Sequence, residues 1–221
     1  MSNAAALCTY IKPDGYFSCP RTELLPLVPA EAARFLEIGC GEGEFARALR
    51  AARGQSKLEV VGVELCEGPG QRAAAVLDTL IVGNVEQMEL PYRDYFDCVV
   101  FADVLEHLVD PWKMLTRARS FLRPNGMVIA SIPNVQQWIV LRDLILGEWD
   151  YTDFGIMDNT HLRFFTKKSI LKMFASTGFD VRHFHGRIES GKGKFLHVAT
   201  GGLADPFLAR QYFITAVRKD E

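Results

Sequence analysis

The sequence predicts an α/β protein built on a doubly wound, mostly parallel sheet of seven strands. Short apolar, β-branched runs alternate with helical patterns along most of the chain, as parallel strands and their crossover helices require. Some runs, such as residues 99–101 and 128–130, are apolar at every position, which is typical of a sheet covered by helices on both faces. With 221 residues, of which 48% are hydrophobic, the chain is long enough to bury such a core.

The strands are predicted from apolar runs of four to seven residues that are bounded by turn-forming or polar positions. They are Arg34–Ile38, Leu58–Glu64, Thr79–Val82, Tyr95–Phe101, Met127–Pro133, Phe179–His185 and Tyr212–Arg218.

Three helical patterns stand between or beside these strands. Residues Phe45–Arg53 place four apolar side chains on one face. Residues Pro111–Leu122 begin after Asp110, which can act as N-cap, and end at a turn over residues 123–126. Residues Lys167–Thr177 follow a capping threonine and stop before a glycine.

The composition changes after the fifth predicted strand. Residues 134–166 form an aromatic-rich insertion, whose rings either complete the core or form a lid over a ligand. We expect this insertion on the substrate side of one domain spanning residues 31–221. Residues 1–30 form an N-terminal segment and a candidate cofactor gate. The glycine-rich stretch from 186 to 202 shows no convincing helix.

Charge, hydropathy and cysteine spacing exclude several classes of protein. A net charge of −2 gives no global attraction to nucleic acid or to an anionic membrane, and no apolar run is long enough to span a bilayer. The five cysteines are never closer than 11 residues, which rules out a CxxC site and argues against a disulfide framework. The expectation is therefore a cytoplasmic protein without nucleic-acid or membrane partners.

The strongest local signal is a glycine turn, Gly39-Cys-Gly-Glu-Gly43, between the first predicted strand and the first predicted helix. A ligand can lie against such a turn at the carboxyl end of the strand. A dinucleotide site would need Gly or Ala where Glu44 stands, and the carboxylates of Glu37, Glu42 and Glu44 would repel a diphosphate. A nucleoside that carries positive charge and no phosphate, S-adenosylmethionine (SAM), fits better.

Further polar residues follow the next strands at the same edge of the sheet. Glu64 ends the second strand beside the glycine turn, where a carboxylate can accept from both ribose hydroxyls. Residues 83–86 follow the third strand and are placed to meet the adenine edge. Ala102 and Asp103 end the fourth strand beside the amino-acid end of the ligand.

Together these motifs resemble the class I SAM-dependent methyltransferases. Residues from about 31 to 133 match the family's core motifs in order and spacing, and residues 158–166, Asp-Asn-Thr-His-Leu-Arg-Phe-Phe-Thr, resemble a subgroup of small bacterial methyltransferases often tied to glycan or secondary-metabolite modification. The resemblance implies a Rossmann-like sheet of order 3-2-1-4-5-7-6 with the last strand antiparallel.

The resemblance also implies roles for individual residues. Adenine binding falls to Asn84 and Val85, although the family usually has Asp at position 84, whose charge Asn84 lacks. The ribose falls to Glu64 with Leu65. The methionine part of SAM falls to a larger set, comprising Glu37, Gly39, Cys40, Gly41, Gly43, Ala102, Asp103, Tyr16 and Arg21.

Methyl transfer needs a base only when the acceptor is a weak acid such as an alcohol or phenol. His107 is the first candidate and His161 the second, with a structural histidine as the alternative for each. Asp103, Glu106 and His107 are similar to the acidic pair plus histidine with which quinone-biosynthesis O-methyltransferases hold magnesium. They offer three ligands at best, so the sequence predicts no metal.

The predicted function is methyl transfer from SAM to a small-molecule acceptor, with oxygen preferred over nitrogen and S-adenosylhomocysteine (SAH) as product. Trp138, Tyr151, His161 and Arg163 of the insertion are the candidate acceptor-binding residues. Trp138 and Arg142 could instead mediate self-association in a homodimer. Two alternatives stay open at this point, a non-catalytic SAM-binding sensor or partner subunit and an NAD(P)-dependent oxidoreductase.

Overall fold

The computed structural model describes residue 12 and residues 15–54 and 57–219, and it contains one seven-stranded sheet. The strand order is β3-β2-β1-β4-β5-β7-β6, and β7 runs antiparallel to both of its neighbours while the other pairs are parallel. The predicted order and the antiparallel last strand are confirmed. The strands are β1 Arg34–Ile38, β2 Glu59–Glu64, β3 Thr79–Val82, β4 Phe96–Ala102, β5 Leu122–Pro133, β6 Phe179–Arg187 and β7 Gln211–Arg218.

Helices connect the parallel strands, and two short 3₁₀ helices, Thr22–Leu27 and Leu105–His107, precede β1 and follow β4. The third α-helix is capped as expected, since the Asp110 side chain accepts from the backbone N–H of Lys113 at 2.9 Å. The α-helices are α1 Glu44–Arg53, α2 Glu67–Ala73, α3 Pro111–Phe121, α4 Trp138–Ile145, α5 Lys167–Ser176, α6 Gly191–Ala199 and α7 Asp205–Leu208.

Two local predictions were wrong. The glycine-rich stretch contains α6, because the Ser190 side chain accepts from the Gly193 N–H at 2.9 Å and so caps a helix that its two glycines disfavour. The turn at 123–126 does not separate α3 from β5, since the strand begins directly at Leu122 and carries Asn125 in a left-handed conformation, with φ of 62°.

The core lies on both faces of the sheet, as the uniformly apolar strands indicate. Alternate residues of β1 point to opposite faces, so that Leu36 packs on the side of α3 and α5 and Phe35 packs on the side of α1. Leu24 of the first 3₁₀ helix is completely buried on the α1 side. The N-terminal segment is therefore anchored in the core at this point.

The 134–166 insertion leaves the sheet after β5 and returns to its carboxyl edge. Buried Asn134 donates to the carbonyl oxygens of Ala209 and Pro206 at 2.7 and 2.8 Å. At the other end of the insertion, the N–H groups of Leu162 and Arg163 donate to the Glu106 carbonyl oxygen at 2.9 and 3.0 Å. Both ends of the insertion are thus fixed to the domain core.

The cysteine expectation is correct at three described positions and wrong at a fourth. Cys19, Cys40 and Cys98 are free thiols, whereas Cys66 is disulfide-bonded. Cys8 and the rest of residues 1–11 of the predicted N-terminal segment lie outside the described residues. Over the part of the chain that is described, no helix is both long and apolar enough to cross a membrane.

Replacing Asp97 by alanine should lower the free energy of unfolding by about 1.5–3 kcal/mol, because charged hydrogen bonds between strands are lost. Asp97 of β4 accepts from the N–H groups of Ala33 and Arg34 at 2.6 and 2.9 Å and pairs with Arg123 at 2.6 Å. Urea unfolding followed by circular dichroism measures the change. The matched control is Asp180→Ala, which removes an exposed pair with Arg182 and should change stability by less than about 0.5 kcal/mol. Equal losses in the two variants would contradict the assigned role.

Candidate active site

A cavity of about 990 Å³ opens at the carboxyl ends of the parallel strands. The glycine turn, the ends of β1, β2 and β4, and the loop after β3 form one part of its wall. The N-terminal segment, residues 154–162 of the insertion, and the chain around Arg187 and Arg210 form the rest. The volume is at the upper end for small-molecule sites, so it accommodates a cofactor and a second small molecule together.

The glycine turn needs its glycines for backbone conformation and for packing against protein. Gly39 and Gly41 have φ of 70° and 53°, in the left-handed region that favours glycine. A Cβ at Gly41 would lie 2.6 Å from the Phe17 carbonyl oxygen, and one at Gly39 would lie 2.6 Å from a Val104 methyl group. Gly39, Cys40 and Gly41 line the cavity, whereas Gly43 caps α1 at a position where a Cβ would meet α2 and its following loop.

The Glu37 carboxyl group is buried at the cavity wall, and one of its oxygens accepts no hydrogen bond from the described residues. Its side chain is 2% exposed, and its Oε2 has no hydrogen-bond partner among the described residues. Burial, reinforced by the nearby Glu64, raises the pKa of Glu37 well above its usual range. An unsatisfied buried carboxyl oxygen is costly, so this position fits a cationic ligand group such as an ammonium.

Glu64 lies beside the glycine turn, where the strand order was expected to put it. Its Oε2 accepts from the Gly41 N–H at 2.8 Å and its Oε1 from the Cys66 N–H at 3.0 Å. Burial raises the pKa of Glu64, and these backbone N–H groups oppose that change. Each oxygen keeps a second lone pair, so the carboxylate is held in place and can still accept from a ligand.

The loop after β3 is held by the side chain of Asn84 and by that of Arg117, which the sequence analysis did not identify. The Asn84 side-chain oxygen accepts from the Glu86 N–H at 2.9 Å, which leaves its second lone pair and the amide NH₂ to hydrogen-bond a ligand. Arg117 of α3 donates to the carbonyl oxygens of Val85 and Met88, both at 2.5 Å. An arginine one helix away carries no sequence signal that would link it to this loop.

Asp103 is fixed at the end of β4 by three partners. Its Oδ1 accepts from the Ser131 hydroxyl at 2.6 Å and from Gln211, and its Oδ2 pairs with Arg21. Asp103 and Arg21 both have left-handed backbone conformations. The structure therefore brings together two residues that the sequence analysis assigned separately, and it adds Ser131 and Gln211. Ala102 and Leu65 also line the cavity.

Tyr16 lies at the insertion side of the cavity. Its hydroxyl contacts Asp158 and Thr160, and the Lys12 ammonium lies 4.3 Å from the centre of its ring. Lys12 also donates to both oxygens of Asp158, at 2.6 and 2.8 Å. Tyr16 lines the same cavity as the glycine turn, and its predicted cofactor contact stays a prediction. The N-terminal segment contacts the insertion here and the glycine turn at Ser18, which donates to Glu42 at 2.9 Å.

His107, His161 and Glu106 meet at this end of the cavity. The two imidazole rings lie 4.7 Å apart at 70°, and His161 Nε2 lies 3.9 Å from a Glu106 oxygen. Burial, with a contribution from His161, lowers the pKa of His107 to about 4, and burial also lowers the pKa of His161. Burial raises the pKa of Glu106 well above its usual range, with Asp103 adding to the effect. Both imidazoles are therefore uncharged at neutral pH.

Three of the four predicted acceptor-binding residues are absent from the cavity wall formed by the described residues. The Arg163 guanidinium donates to the Val109 carbonyl oxygen, at 3.1 Å from its Nε, and so ties the insertion to the loop before α3. Trp138 is 47% exposed and its ring lies 5.5 Å from Arg142, and Tyr151 is 55% exposed. Trp138 faces outward because α4 buries only Val140, and Tyr151 lies in the loop that follows the helix. His161 does line the cavity, together with Phe154 and Ile156, which were not predicted.

Comparison with known proteins bears on what this cavity binds. A family model described as a methyltransferase domain matches residues 14–184. The 27-O-demethylrifamycin SV methyltransferase of Amycolatopsis mediterranei is 36% identical over 110 residues, which cover 47% of this chain and 39% of that protein. The ubiquinone biosynthesis O-methyltransferase of Aeromonas salmonicida is 27% identical over 159 residues, covering 69% of this chain and 65% of that protein. The chain thus spans less than two thirds of the length of these relatives.

Solved structures show the same fold at low sequence identity. A SAM-dependent methyltransferase from Thermotoga maritima, described as a histamine N-methyltransferase candidate, has a TM-score of 0.64 and 19% identity, covering 91% of this chain and 90% of that one. A SAM-dependent methyltransferase from Mesorhizobium loti has a TM-score of 0.63 and 18% identity, covering 93% and 99%.

The family match extends over most of the chain, and the unsatisfied Glu37 carboxyl beside the glycine turn fits the positive charge of the family's cofactor. This chain therefore belongs to the SAM-dependent methyltransferases and has S-adenosylmethionine as its cofactor.

Proposed function

We propose that the protein transfers the methyl group of SAM to a hydroxyl oxygen of a small-molecule acceptor and releases SAH. The observation that carries the proposal is the pair of uncharged imidazoles, His107 and His161, in the same cavity as the glycine turn. A neutral imidazole nitrogen can accept the proton that a hydroxyl acceptor loses. A neutral amine acceptor can attack the methyl group before it loses a proton, so it needs no such base. The O-methyltransferase names of two relatives support oxygen over nitrogen.

The cofactor roles follow the polar groups along the cavity. Glu37 accepts from the SAM ammonium, Glu64 accepts from the ribose hydroxyls, and Asn84 with Val85 contacts adenine. The ion pair of Arg21 and Asp103 adjoins the amino-acid end. Gly39, Cys40 and Gly41, with Leu65 and Ala102, supply the remaining wall.

The reaction is an in-line displacement at the methyl carbon. The acceptor oxygen forms a bond to that carbon while the carbon–sulfur bond breaks and its electron pair stays on sulfur, which loses its positive charge. The hydroxyl proton passes to Nε2 of His107, or of His161 where the acceptor lies nearer to it. The protein contributes alignment of the three reacting atoms and a wall that excludes water.

The low pKa of His107 narrows the acceptor class. An imidazole whose pKa is about 4 is a weak base, so proton removal is easiest from an acidic hydroxyl such as a phenol or an enol. The rim of the cavity supports the same choice, because Phe154 and Ile156 offer apolar contact to a ring. Arg187 and Arg210 also line the cavity, and both pair with Glu189, at 3.2 and 3.5 Å. Their remaining N–H groups offer hydrogen bonds to an acceptor's polar substituents.

The N-terminal segment gates the cofactor in this proposal. It contacts the glycine turn through Phe17, whose carbonyl oxygen accepts from the Glu42 N–H at 3.1 Å, and it contacts the insertion through Lys12. Self-association through α4 is proposed as well, on the ground that Ile145 is 84% exposed and Leu146 66% exposed. A cytoplasmic location and the lack of a nucleic-acid partner stay predictions.

Transfer of tritium from methyl-labelled SAM to a panel of phenols, enols, alcohols and amines tests the function. We expect labelled product with an acidic hydroxyl compound and SAH formed in equal amount, because each displacement yields one of each. Tight SAH binding with no transfer to any member would favour a non-catalytic sensor or partner subunit. Thermal stabilisation by NAD(P) and none by SAH would favour an oxidoreductase.

Substituting Glu64 by alanine should weaken SAM binding by about 1.5–3 kcal/mol, because charge-assisted hydrogen bonds to the ribose are lost. Isothermal titration calorimetry with SAM and SAH measures the change. Glu67→Ala is the matched control, since Glu67 begins α2 three residues later and its side chain accepts only from exposed Gln71 in the described structure. Unchanged affinity in the Glu64 variant would refute the ribose role.

The pH profile of kcat/KM should stay flat between pH 8 and pH 6 for an acceptor that does not titrate in that range. The proton-accepting form of His107 is the neutral one, and it persists down to about pH 4 because burial lowers this pKa. An imidazole of ordinary pKa near 6.5 would instead lose about three quarters of its neutral form by pH 6. A limb centred near pH 6.5 would contradict the proposal, provided that circular dichroism shows the protein folded throughout.

A further inference from the structure

We propose that Glu106, His107 and His161 bind one divalent transition-metal ion at the acceptor end of the cavity. One ligand atom from each of these residues lies within 4.8 Å of the others. The three come from two parts of the chain, since Glu106 and His107 lie in the 3₁₀ helix after β4 and His161 lies in the insertion. Ligand atoms that lie 2.0–2.1 Å from a tetrahedral ion are about 3.3 Å from one another. Side-chain rotations that bring these ligand atoms closer by about 1.5 Å or less would therefore complete the site.

Hydrogen bonds fix both imidazoles in the tautomer that a metal requires. Nδ1 of His107 lies 3.2 Å from the Thr160 carbonyl oxygen, and Nδ1 of His161 lies 2.9 Å from the Ile156 carbonyl oxygen. The Thr160 hydroxyl also lies 3.2 Å from Nδ1 of His107, but it donates its hydrogen to Asp158 at 2.6 Å and so acts as an acceptor toward the ring. A carbonyl oxygen can only accept, so we assign the proton to Nδ1 in each ring and the lone pair to Nε2. Metal-binding histidines are oriented in this way, by donation from the other ring nitrogen to a carbonyl or carboxylate.

Glu106 provides a second, independent observation that points to a cation. Its side chain is 1% exposed, and neither of its carboxyl oxygens has a hydrogen-bond partner in the described structure. A carboxyl group buried without partners destabilises the fold, and a coordinated cation would satisfy it. His161 Nε2, at 3.9 Å from one of these oxygens, presents its lone pair to the same space.

The ligand set differs from the one that sequence resemblance suggested. Asp103 is not available, because Ser131 and Gln211 bind one of its oxygens and Arg21 pairs with the other. His161 takes its place, so the set has two imidazole nitrogens and one carboxylate rather than two carboxylates and one imidazole. Such a set suits Zn²⁺, Fe²⁺ or Co²⁺ better than Mg²⁺, which prefers oxygen ligands. The sequence predicted no metal because it offered three ligands at best. It could not show that His161, 55 residues after Glu106, lies beside it.

The metal site goes beyond the proposed methyl transfer and does not depend on it. A bound ion would occupy the Nε2 lone pairs, so the proton-accepting role proposed for His107 and His161, and the pH profile predicted from it, belong to the metal-free protein. With the ion bound, the lowered pKa of a coordinated acceptor hydroxyl would let its proton pass to solvent instead. Metal binding and cofactor binding are measured separately, so one proposal can fail while the other stands.

Metal binding to the full chain tests the site. After removal of metal with a chelator, equilibrium dialysis against Zn²⁺ should give one ion per chain, and Co²⁺ should give the visible absorption of a low-coordinate nitrogen and oxygen site. Either Glu106→Gln or His161→Asn should weaken Zn²⁺ binding at least ~10-fold. Zn²⁺ should raise the thermal unfolding temperature of the wild type and not of these variants.

Two controls separate this site from other ways of holding a metal. His183 and His185 form an exposed stacked pair on β6, with ring centres 6.2 Å apart, and the double variant to asparagine should bind Zn²⁺ as the wild type does. Asp103→Asn should also leave Zn²⁺ affinity unchanged. Loss of binding in the His183/His185 variant, or equal weakening by Asp103→Asn and Glu106→Gln, would overturn the proposal. If the Glu106 and His161 variants fail to fold, the Co²⁺ spectrum of the wild-type protein tests the proposal by itself. A spectrum identical to that of hydrated Co²⁺ would overturn the proposal.

Discussion

Buried carboxyl groups at the carboxyl edge of the sheet are the constraint on which the site depends. Parallel strands end at one edge, so an acid near the end of β1, one at the end of β2 and one after β4 must meet there. Glu37 and Glu106 keep oxygens without partners among the described residues, and Glu64 is held by backbone N–H groups alone. Ligands that carry positive charge could complete the hydrogen bonding of these carboxyl groups. Any ligand that binds here in the folded state would also stabilise the fold.

The two ends of the cavity are formed by different parts of the chain. At the cofactor end the strands and the glycine turn supply backbone groups, which hold Glu64 and leave little freedom. At the acceptor end the insertion is tied to the core through main-chain bonds to the Glu106 carbonyl oxygen, and its loop supplies His161 and Asp158. One end is therefore set by the fold itself. The other depends on an insertion that can change without disturbing the sheet, as expected where acceptor specificity resides.

Most of the sheet could be predicted because it depends on local pattern, and so could the position of Gly39, Gly41 and Glu64 at one wall of the cavity. The β1 and β3 limits match the apolar runs directly, and Asp110 caps α3 where its position indicated. The resemblance to a family supplied the strand order. Contacts between distant segments were the part that could not be predicted. No pattern links Gln211 of β7 to Asp103, Arg117 to the loop after β3, or Lys12 to Asp158. The exposed positions of Trp138 and Tyr151 could not be predicted either, because aromatic content alone does not say which side chains of an insertion face the cavity.

The N-terminal segment touches both ligand compartments at once. Phe17 and Ser18 meet the glycine turn, and Lys12 meets Asp158 beside the two imidazoles. Beyond them, Leu24 fixes the chain in the core, so displacement of the preceding residues would open both compartments together. If the protein acts as proposed, product release from either compartment would need the same short stretch to detach. Substitutions along that stretch would then alter the release of both products in parallel.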